Sequence, residues 1–324
     1  MQKKLIYISG SISSMLLLIT IGEIFARFYL GLGTPPLSIA HPKIEYMYKP
    51  NQDGYRFRKH FIFNQYGMRA ESLTKQKKSK ELRVLVFGDS VVNGGALTDQ
   101  SKLATSILQD KAAEKVGENI FVGNISAGSW GPGNWLAYAQ EYGFFGADIV
   151  VLIISSHDYA DNPTFQPLNK NTHPSEQPIS ALFEGVERYF LPHFFPQIFS
   201  STAIIATDNF VEKKREIEAQ KGLNDLRSFL KLAKNNSMTV LVFQHYEKSE
   251  IESNHANVGN QRIKRVCKQL DIVPISLEPY FRKSMADGIN PYRDNIHPNE
   301  VGQELIFEAM LAKIPNKFLA RSNN

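Results

Sequence analysis

The stretch LRVLVFGDSVVNGG, residues 82–95, carries the strongest structural signal in the sequence. Its first seven residues form a short apolar, β-branched run that ends in glycine, which is typical of a strand covered on both faces. Asp89 and Ser90 follow directly, where a strand end meets a helix start. A serine hydroxyl needs access to substrate and a base to take its proton, and this position supplies the access. The pattern predicts a strand over 82–88 with Ser90 at its carboxyl end.

Four further apolar runs follow the first at intervals along the chain. They are NIFVGNI (119–125), DIVVLII (148–154), MTVLVFQ (238–244) and DIVPIS (271–276). Between them lie helical patterns with apolar residues at Leu103, Ile107, Leu108 and Ala112, at Leu226, Phe229 and Leu230, and at Val301, Leu305, Ile306 and Met310. Strands that alternate with helices predict a parallel α/β sheet. Ligands bind beyond the carboxyl ends of such strands, so one rim should hold Ser90, the segments after Ile125 and Ile154, and the loop before His297.

The composition allows one large core or two modest ones. The chain has 324 residues, 43% hydrophobic and 21% charged, with a formal net charge of +5. The single cysteine, Cys267, excludes an intramolecular disulfide and a cysteine metal site, and its helical neighbours predict a core position. No zinc-finger spacing or aromatic-basic pattern indicates a nucleic-acid partner. The basic run from Lys75 to Arg83 is either a solvated linker or a surface that attracts an anionic polymer or lipid.

The N-terminal segment predicts a membrane anchor. Leu5 to Gly22 is free of charge for 18 residues, and about 20 apolar residues cross a bilayer as a helix. Lys3 and Lys4 precede it, so the N-terminus should face the cytoplasm and the rest should be extracytoplasmic. A cleaved signal peptide is the alternative. Without a convincing cleavage site, an uncleaved signal anchor in a single-pass membrane protein is favoured.

The domain organisation is expected to have three parts. Residues 1–30 form the cytoplasmic tip and the span, and residues 31–80 form an irregular or short-stranded extension after the helix-breaking GLGTPP. Residues 81–324 form the main domain, with an insertion at about 159–206. This proline-containing insertion includes the aromatic run FLPHFFPQIF (190–199). It is either a functional lid or binding loop, or a packed surface excursion, and a membrane-dipping patch is a further alternative.

A second motif near the C-terminus supplies a partner for the serine. In RDNIHPNE, Asp294 and His297 stand three residues apart, just before a helix that Pro298 can open at its first position. Asp294 can then hold the Nδ1–H of His297 and leave Nε2 to face a serine. A surface or structural role is the alternative for any single histidine, but the D-x-x-H-P context favours catalysis here.

These two motifs resemble the first and last blocks of the SGNH (GDSL-like) hydrolases. The resemblance covers roughly residues 81–315 in block order and spacing. It implies that Ser90 is the nucleophile, His297 the base and Asp294 the residue that orients it. It also implies a flavodoxin-like three-layer α/β/α sandwich with a central parallel sheet, and it implies neither a metal nor an organic cofactor.

The middle blocks depart from the family pattern. Where the family has an N-x-G-x-x-G-like turn, this chain has NISAGSWGPGNW, so Gly128 or Ser129 is expected to give an oxyanion-hole N–H beside that of Ser90. Where the family has the asparagine of G-x-N-D, this chain has His157 in SSHD. A neutral imidazole can donate one N–H to an oxyanion. The alternative is that His157 points elsewhere and the hole has one donor fewer.

A softer resemblance concerns the substrate. Asn64, Gly67 and Arg69 fit the N-x-x-G-x-R stretch before GDS in membrane-anchored SGNH proteins, including those near polysaccharide gene clusters. The expected function is therefore hydrolysis or transfer of an O-acyl group, acetyl above all, on an extracytoplasmic polysaccharide, with polysaccharide assembly proteins as possible partners. The alternatives are a lipid esterase or thioesterase, and a non-catalytic glycan-binding scaffold.

Overall fold

The computed structural model describes residues 2–116, 120–195, 208–236, 238–315 and 318. Asn119 of the second predicted strand therefore lies outside the described residues. The same holds for residues 196–206 of the predicted insertion, which include the last four of the aromatic run.

The chain begins with a long apolar helix. Helix α1 spans Gln2–Ile24 and continues as a wider helical turn over Phe25–Tyr29. Its stretch Gly10–Tyr29 is long and apolar enough to cross a membrane. The predicted break follows at Gly31, whose φ is +66°, and a β-carbon there would lie 2.5 Å from the backbone nitrogen of Arg58. A glycine is therefore required where the chain leaves the helix.

Two antiparallel hairpins form the extension that follows. The first pairs β1 (Ser38–His41) with β2 (Glu45–Tyr48), and the second pairs β3 (Gln52–Arg56) with β4 (Lys59–Phe63). Tyr46, Met47 and Met68 are buried in the same apolar cluster as Phe87 of the main domain. The extension therefore adds side chains to the main core.

The central sheet has five parallel strands. They are β5 (Leu82–Gly88), β6 (Ile120–Ser126), β7 (Ile149–Ser155), β8 (Thr239–His245) and β9 (Ile275–Ser276). Their spatial order is β6-β5-β7-β8-β9, and every adjacent pair is parallel. This is the flavodoxin-like doubly wound order, with its switch point beside β5 and β7.

Helices cover both faces of this sheet. They are α2 (Ser90–Asn93), α3 (Ala104–Val116), α4 (Pro132–Tyr142), α7 (Asp208–Asn235), α8 (Lys248–Ser253), α9 (Val258–Lys268), α10 (Glu278–Ala286) and α11 (Glu300–Lys313). The two short helices of the insertion, α5 (Ala181–Gly185) and α6 (Leu191–Phe194), lie instead near the end of α1. Leu85 and Phe87 pack in a core with α4, α7 and α9, which includes the buried Cys267. Val84 and Val86 pack in a second core with α3, α10 and α11. The predicted three-layer α/β/α sandwich is confirmed.

Two local predictions differ from the structure. The fifth strand was expected over 271–276 but has only two residues, because Asp271 has a φ of +53° and Pro274 offers no N–H for a ladder. The basic run is not a uniformly solvated linker, because Arg83 is fully buried within β5. Its Nε donates to Glu81 at 2.6 Å and its Nη1 to the carbonyl of Phe145. A buried guanidinium is tolerated when it is paired and hydrogen-bonded in this way.

Candidate active site

The structure brings Ser90, His297 and Asp294 into one hydrogen-bonded chain. Strand β5 ends at Gly88, and Ser90 begins the single-turn helix α2 at the carboxyl edge of the sheet. The Nε2 atom of His297 lies 2.9 Å from Ser90 Oγ, and its Nδ1 lies 2.7 Å from Asp294 Oδ2. Residues separated by 207 positions thus meet with the spacing a serine nucleophile and its base require.

Asp294 also folds the loop that carries His297. Its Oδ1 accepts the backbone N–H groups of Ile296 and His297, both at 2.8 Å. Partial burial alone would raise the pKa of Asp294, but these two N–H groups and the His297 ring outweigh burial and lower it. The Asp294 carboxylate is therefore ionised at neutral pH, which suits an acceptor for the Nδ1–H of His297.

Pro298 does not open the last helix as predicted. Helix α11 begins at Glu300, and the Asn299 side chain caps it by accepting the N–H of Gly302 at 3.1 Å. Pro298 instead forms an isolated antiparallel bridge with Tyr292. Asn299 stands between Pro298 and the helix. It serves as the N-cap, because an asparagine side-chain oxygen can accept an N–H of the first turn.

Two side chains connect the loop of His297 to the loop of Ser90. The Arg293 guanidinium donates to the carbonyl of Gly94 at 3.3 Å and to the Thr98 hydroxyl at 3.1 Å. The buried Gln303 amide donates to the carbonyl of Val91 at 2.8 Å. These bonds limit relative movement of the serine and the histidine, which favours a preorganised site.

Arg69, identified in the sequence only through a resemblance, lies beneath the loop that follows Ser90. Its buried guanidinium donates to the carbonyls of Asn93, of Gly95 at 2.6 Å and of Thr98 at 2.7 Å. Burial lowers the pKa of Arg69 to about 10, so it remains charged at neutral pH.

We expect Arg69→Met to lower the free energy of unfolding by about 3 kcal/mol, because a buried polar group left without its partner costs about 1–3 kcal/mol. Urea denaturation of the purified chain measures this, with the exposed Arg58→Met as the matched control. A variant as stable as the control would show that the guanidinium does not hold this loop.

His157 lies in a cluster of carboxylates. Its Nε2 is 3.5 Å from Asp89 Oδ2 and 3.3 Å from Asp158 Oδ1, and its Nδ1 is 3.3 Å from Glu247 Oε1. Burial disfavours the charged ring, but hydrogen bonds to Asp89 and Glu247 and the neighbouring carboxylate charges outweigh it and raise the pKa of His157 to about 11. The ring is thus an imidazolium whose two N–H groups face carboxylates. Its role as an oxyanion donor stays a prediction and requires the ring to leave one of these partners.

We expect the unfolding free energy to fall as pH rises from about 7 to 10, the range between the ordinary pKa of histidine and the raised pKa of His157. A folded-state pKa above the unfolded value gives stability that is complete below the unfolded pKa and is lost as pH approaches the folded one. In His157→Gln this part of the pH dependence should disappear. Urea denaturation of both proteins across this range tests it, and parallel slopes would contradict the ion cluster.

Asp89, His157 and Asp158 are also the residues best placed to hold a cation. Within the described ranges, they form the one group of three potential ligands whose atoms all lie within 4.8 Å of one another. A histidine must be neutral to bind a metal, so a cation here would have to displace a proton of His157.

Sequence reasoning misses two residues at the carboxyl end of β8, His245 within the strand and Glu247 just after it. Glu247 accepts from the Asn295 side chain at 2.9 Å and so connects the His157 cluster to the His297 loop. His245 is buried, with Nδ1 3.3 Å from Ser155 Oγ, and burial lowers its pKa to about 4. The signal that could find them is their position, because the carboxyl ends of all strands in such a sheet share one edge.

The predicted oxyanion segment after β6 borders a polar groove. The hydroxyl of Tyr46 donates to the carbonyl of Gly128, and Ser129 has a φ of +55°. Ser129 lines a groove of about 930 Å³ between hairpin β1–β2 and residues 160–173 of the insertion. The choice between Gly128 and Ser129 as N–H donor, and the role of the Ser90 N–H, stay predictions.

About three quarters of the chain has some likeness to solved esterases. No protein-family model and no curated protein sequence matches it. An acetyl xylan esterase is similar at 12% identity and a TM-score of 0.46, over 72% of this chain and 100% of the esterase. A lipolytic G-D-S-L family protein from Veillonella parvula has 13% identity and a TM-score of 0.41, over 72% and 98%. A two-domain esterase active on acetylated mannans has 11% identity and a TM-score of 0.47, over 75% and 51%. At these values the likeness carries no conclusion about activity or substrate, which depend on this chain's own side chains.

Proposed function

We propose that this chain is a membrane-anchored serine esterase or acyltransferase of the SGNH (GDSL-like) type. It removes or transfers O-acyl groups, acetyl above all, on an extracytoplasmic polysaccharide. The observation that carries this proposal is the hydrogen-bonded chain from Ser90 Oγ through the ring of His297 to the Asp294 carboxylate.

The chemistry follows from these three side chains. His297 Nε2 takes the hydroxyl proton as Ser90 Oγ attacks the ester carbonyl, while Asp294 stabilises the imidazolium that forms. The tetrahedral intermediate collapses to an acyl-serine, and His297 returns the proton to the departing sugar oxygen. Water or a second sugar hydroxyl then attacks the acyl-serine, giving its proton to His297, which passes it to Ser90. Water gives hydrolysis, and a sugar hydroxyl gives transfer.

The polar groove beside Ser129 supports a carbohydrate substrate. Its walls include the carboxylates of Glu45 and Asp161 and the rings of Tyr46 and His173, whose centroids are 4.3 Å apart. The Glu45 carboxylate accepts the N–H and the hydroxyl of Thr164, both at 2.8 Å, and a sugar hydroxyl can donate to the Asp161 carboxylate. Such polar walls suit a sugar chain better than an alkyl chain. Residues of both the extension and the insertion line this groove.

A lipid esterase or thioesterase is the second candidate, because an apolar groove of about 490 Å³ lies beside the end of α1. Ser90, His297 and Asp294 line neither this groove nor the polar one, but the polar groove includes Ser129, a predicted oxyanion-hole residue. We therefore favour glycan deacylation over lipid hydrolysis. A glycan-binding scaffold is the third candidate, and the intact hydrogen-bonded chain favours catalysis over it.

The proposed location follows from α1. Lys3 and Lys4 before the apolar stretch support a cytoplasmic N-terminus and a catalytic domain outside, in the periplasm if the cell has an outer membrane. There the enzyme would meet exported polysaccharide and the proteins that assemble it.

The purified full-length chain in detergent micelles tests the proposal with acetylated oligosaccharides and with acetyl and palmitoyl model esters. We expect acetate release, or transfer of acetyl to an unmodified oligosaccharide detected by mass spectrometry, and faster turnover of acetyl than of palmitoyl esters. Faster palmitoyl turnover would favour the lipid esterase. Glycan binding without any acyl release or transfer would favour the scaffold.

A further inference from the structure

The described part of the insertion carries an exposed apolar stripe. Helix α5, the turn Val186–Phe190 and helix α6 follow one another without a break from Ala181 to Phe194. Phe183, Val186, Phe190 and Phe194 are all exposed. Their spacing of three, four and four residues places them on one face of a helix.

The opposite side of this segment is held firmly by charged groups. The buried Glu184 carboxylate accepts two bonds from Arg56, at 2.9 and 2.8 Å, and one from the N–H of Gly33 at 2.7 Å. Arg56 also donates to the Tyr189 hydroxyl at 2.7 Å. These bonds fix the orientation of the segment about its own axis, and they leave the apolar stripe exposed.

The same segment is attached to the end of the apolar N-terminal helix. The Glu23 carboxylate accepts the N–H groups of Ala181 at 3.0 Å and Leu182 at 2.9 Å, and the Ser180 hydroxyl at 2.8 Å. A residue of α1 thus caps the start of α5, which satisfies N–H groups that a helix start leaves free.

An apolar groove of about 490 Å³ lies between these two elements. One wall is the helical turn that continues α1, with Ala26 and the following Leu30, and the other is the stripe with Val186, Phe190 and Phe194. The same turn also exposes Phe25, Phe28 and Tyr29. The groove and the stripe therefore continue the apolar surface of the candidate membrane span.

We propose that residues 179–195 form an interfacial surface that lies in the outer boundary of the bilayer, with phospholipid acyl chains in the groove beside α1. This inference rests on the proposed membrane anchoring by α1. Soluble surfaces rarely expose contiguous apolar patches of this kind, whereas aromatic residues concentrate at membrane boundaries and amphipathic helices lie flat there. The arrangement would hold the catalytic domain at a fixed height and tilt above the membrane.

Tryptophan fluorescence of the full-length chain in phosphatidylcholine vesicles tests this directly. Trp130 and Trp135 are both buried in the core and serve as a constant background. We compare Phe194→Trp on the stripe with Leu17→Trp within the span. The third variant is Phe165→Trp, between two residues that line the polar groove, where the Phe165 side chain is 53% exposed against 60% for Phe194. The quencher is phosphatidylcholine with brominated acyl chains, and the protein-to-lipid ratio is varied.

We expect the added tryptophans at 17 and 194 to lose most of their emission in brominated vesicles, and the one at 165 to lose none. Quenching at 17 with no quenching at 194 would overturn the interfacial surface while leaving the anchor intact. No quenching at 17 would overturn the anchor and, with it, this inference. Quenching at 194 that rises as the protein is diluted in lipid would show that a second copy of the chain covers the stripe, which also contradicts the proposal.

Discussion

Replacing Ser90 by alanine is expected to lower kcat for acetyl-ester hydrolysis by on the order of 10⁶, with little change in KM for an acetylated oligosaccharide. In the proposed mechanism this hydroxyl is the group that attacks, and no other described hydroxyl is hydrogen-bonded to His297 Nε2. Alanine removes this oxygen and the acyl-serine intermediate with it. The groove beside Ser129 is untouched, so ground-state binding should survive.

The measurement is acetate release at saturating substrate, with Ser228→Ala as a matched control. Ser228 lies on the exposed side of α7, where its hydroxyl bonds only its own helix at Asn224. The control should retain full activity. Equal rates for Ser90→Ala and the control would remove the serine mechanism from consideration.

Replacing Asp294 by asparagine is expected to lower kcat by on the order of 10³. A buried aspartate in such a triad is worth about 10⁴ in kcat, because asparagine stabilises the wrong ring tautomer. The side chain of Asp294 is 52% exposed, so water can take over part of its role and the loss should be smaller. Asparagine keeps an oxygen for the N–H groups of Ile296 and His297, which preserves the loop and isolates the effect of charge.

Steady-state kinetics of Asp294→Asn and of Asp287→Asn separate this effect from a general loss of negative charge. Asp287 is an exposed residue at the end of α10 and should tolerate the change. An Asp294→Asn enzyme with wild-type kcat would mean that His297 is oriented by other contacts, and the mechanism would reduce to a serine–histidine pair.

Much of the fold can be predicted from the sequence, because buried parallel strands are continuous apolar runs. The predicted strand at 82–88 is β5 to the residue, and the next three predicted strands differ from the observed ones by one position. The fifth differs more, since Asp271 and Pro274 in its apolar run leave a ladder of only two residues. Hydrophobicity marks where a strand can form, and backbone geometry decides how long it is.

The meeting of Ser90 with His297 is predictable for a related reason. A doubly wound sheet brings the carboxyl ends of its strands to one edge, so a serine after the first strand and a histidine before the last helix are candidates for contact. The hydrogen bonds that hold the two residues together cannot be predicted from the sequence. Arg293 and Gln303 act across nearly 200 positions or more, and such contacts have no local pattern.

The surroundings of His157 are the least predictable part of the site. The sequence resemblance predicts an oxyanion role for this histidine, but its charge depends on Asp89 and Glu247, which follow two other strands. The burial of Arg83 and of the Arg56–Glu184 pair cannot be predicted from the sequence either, because charged residues are expected at the surface unless their partners are known.

Labelling with a fluorophosphonate, followed by peptide mapping, tests the central claim most directly, because this reagent reacts with a serine only when a neighbouring base activates it. We predict a single adduct on Ser90 in the wild-type chain, and a rate of labelling that falls steeply in His297→Ala. An adduct on another serine, or equal labelling of Ser90 with and without the His297 imidazole, would contradict the account.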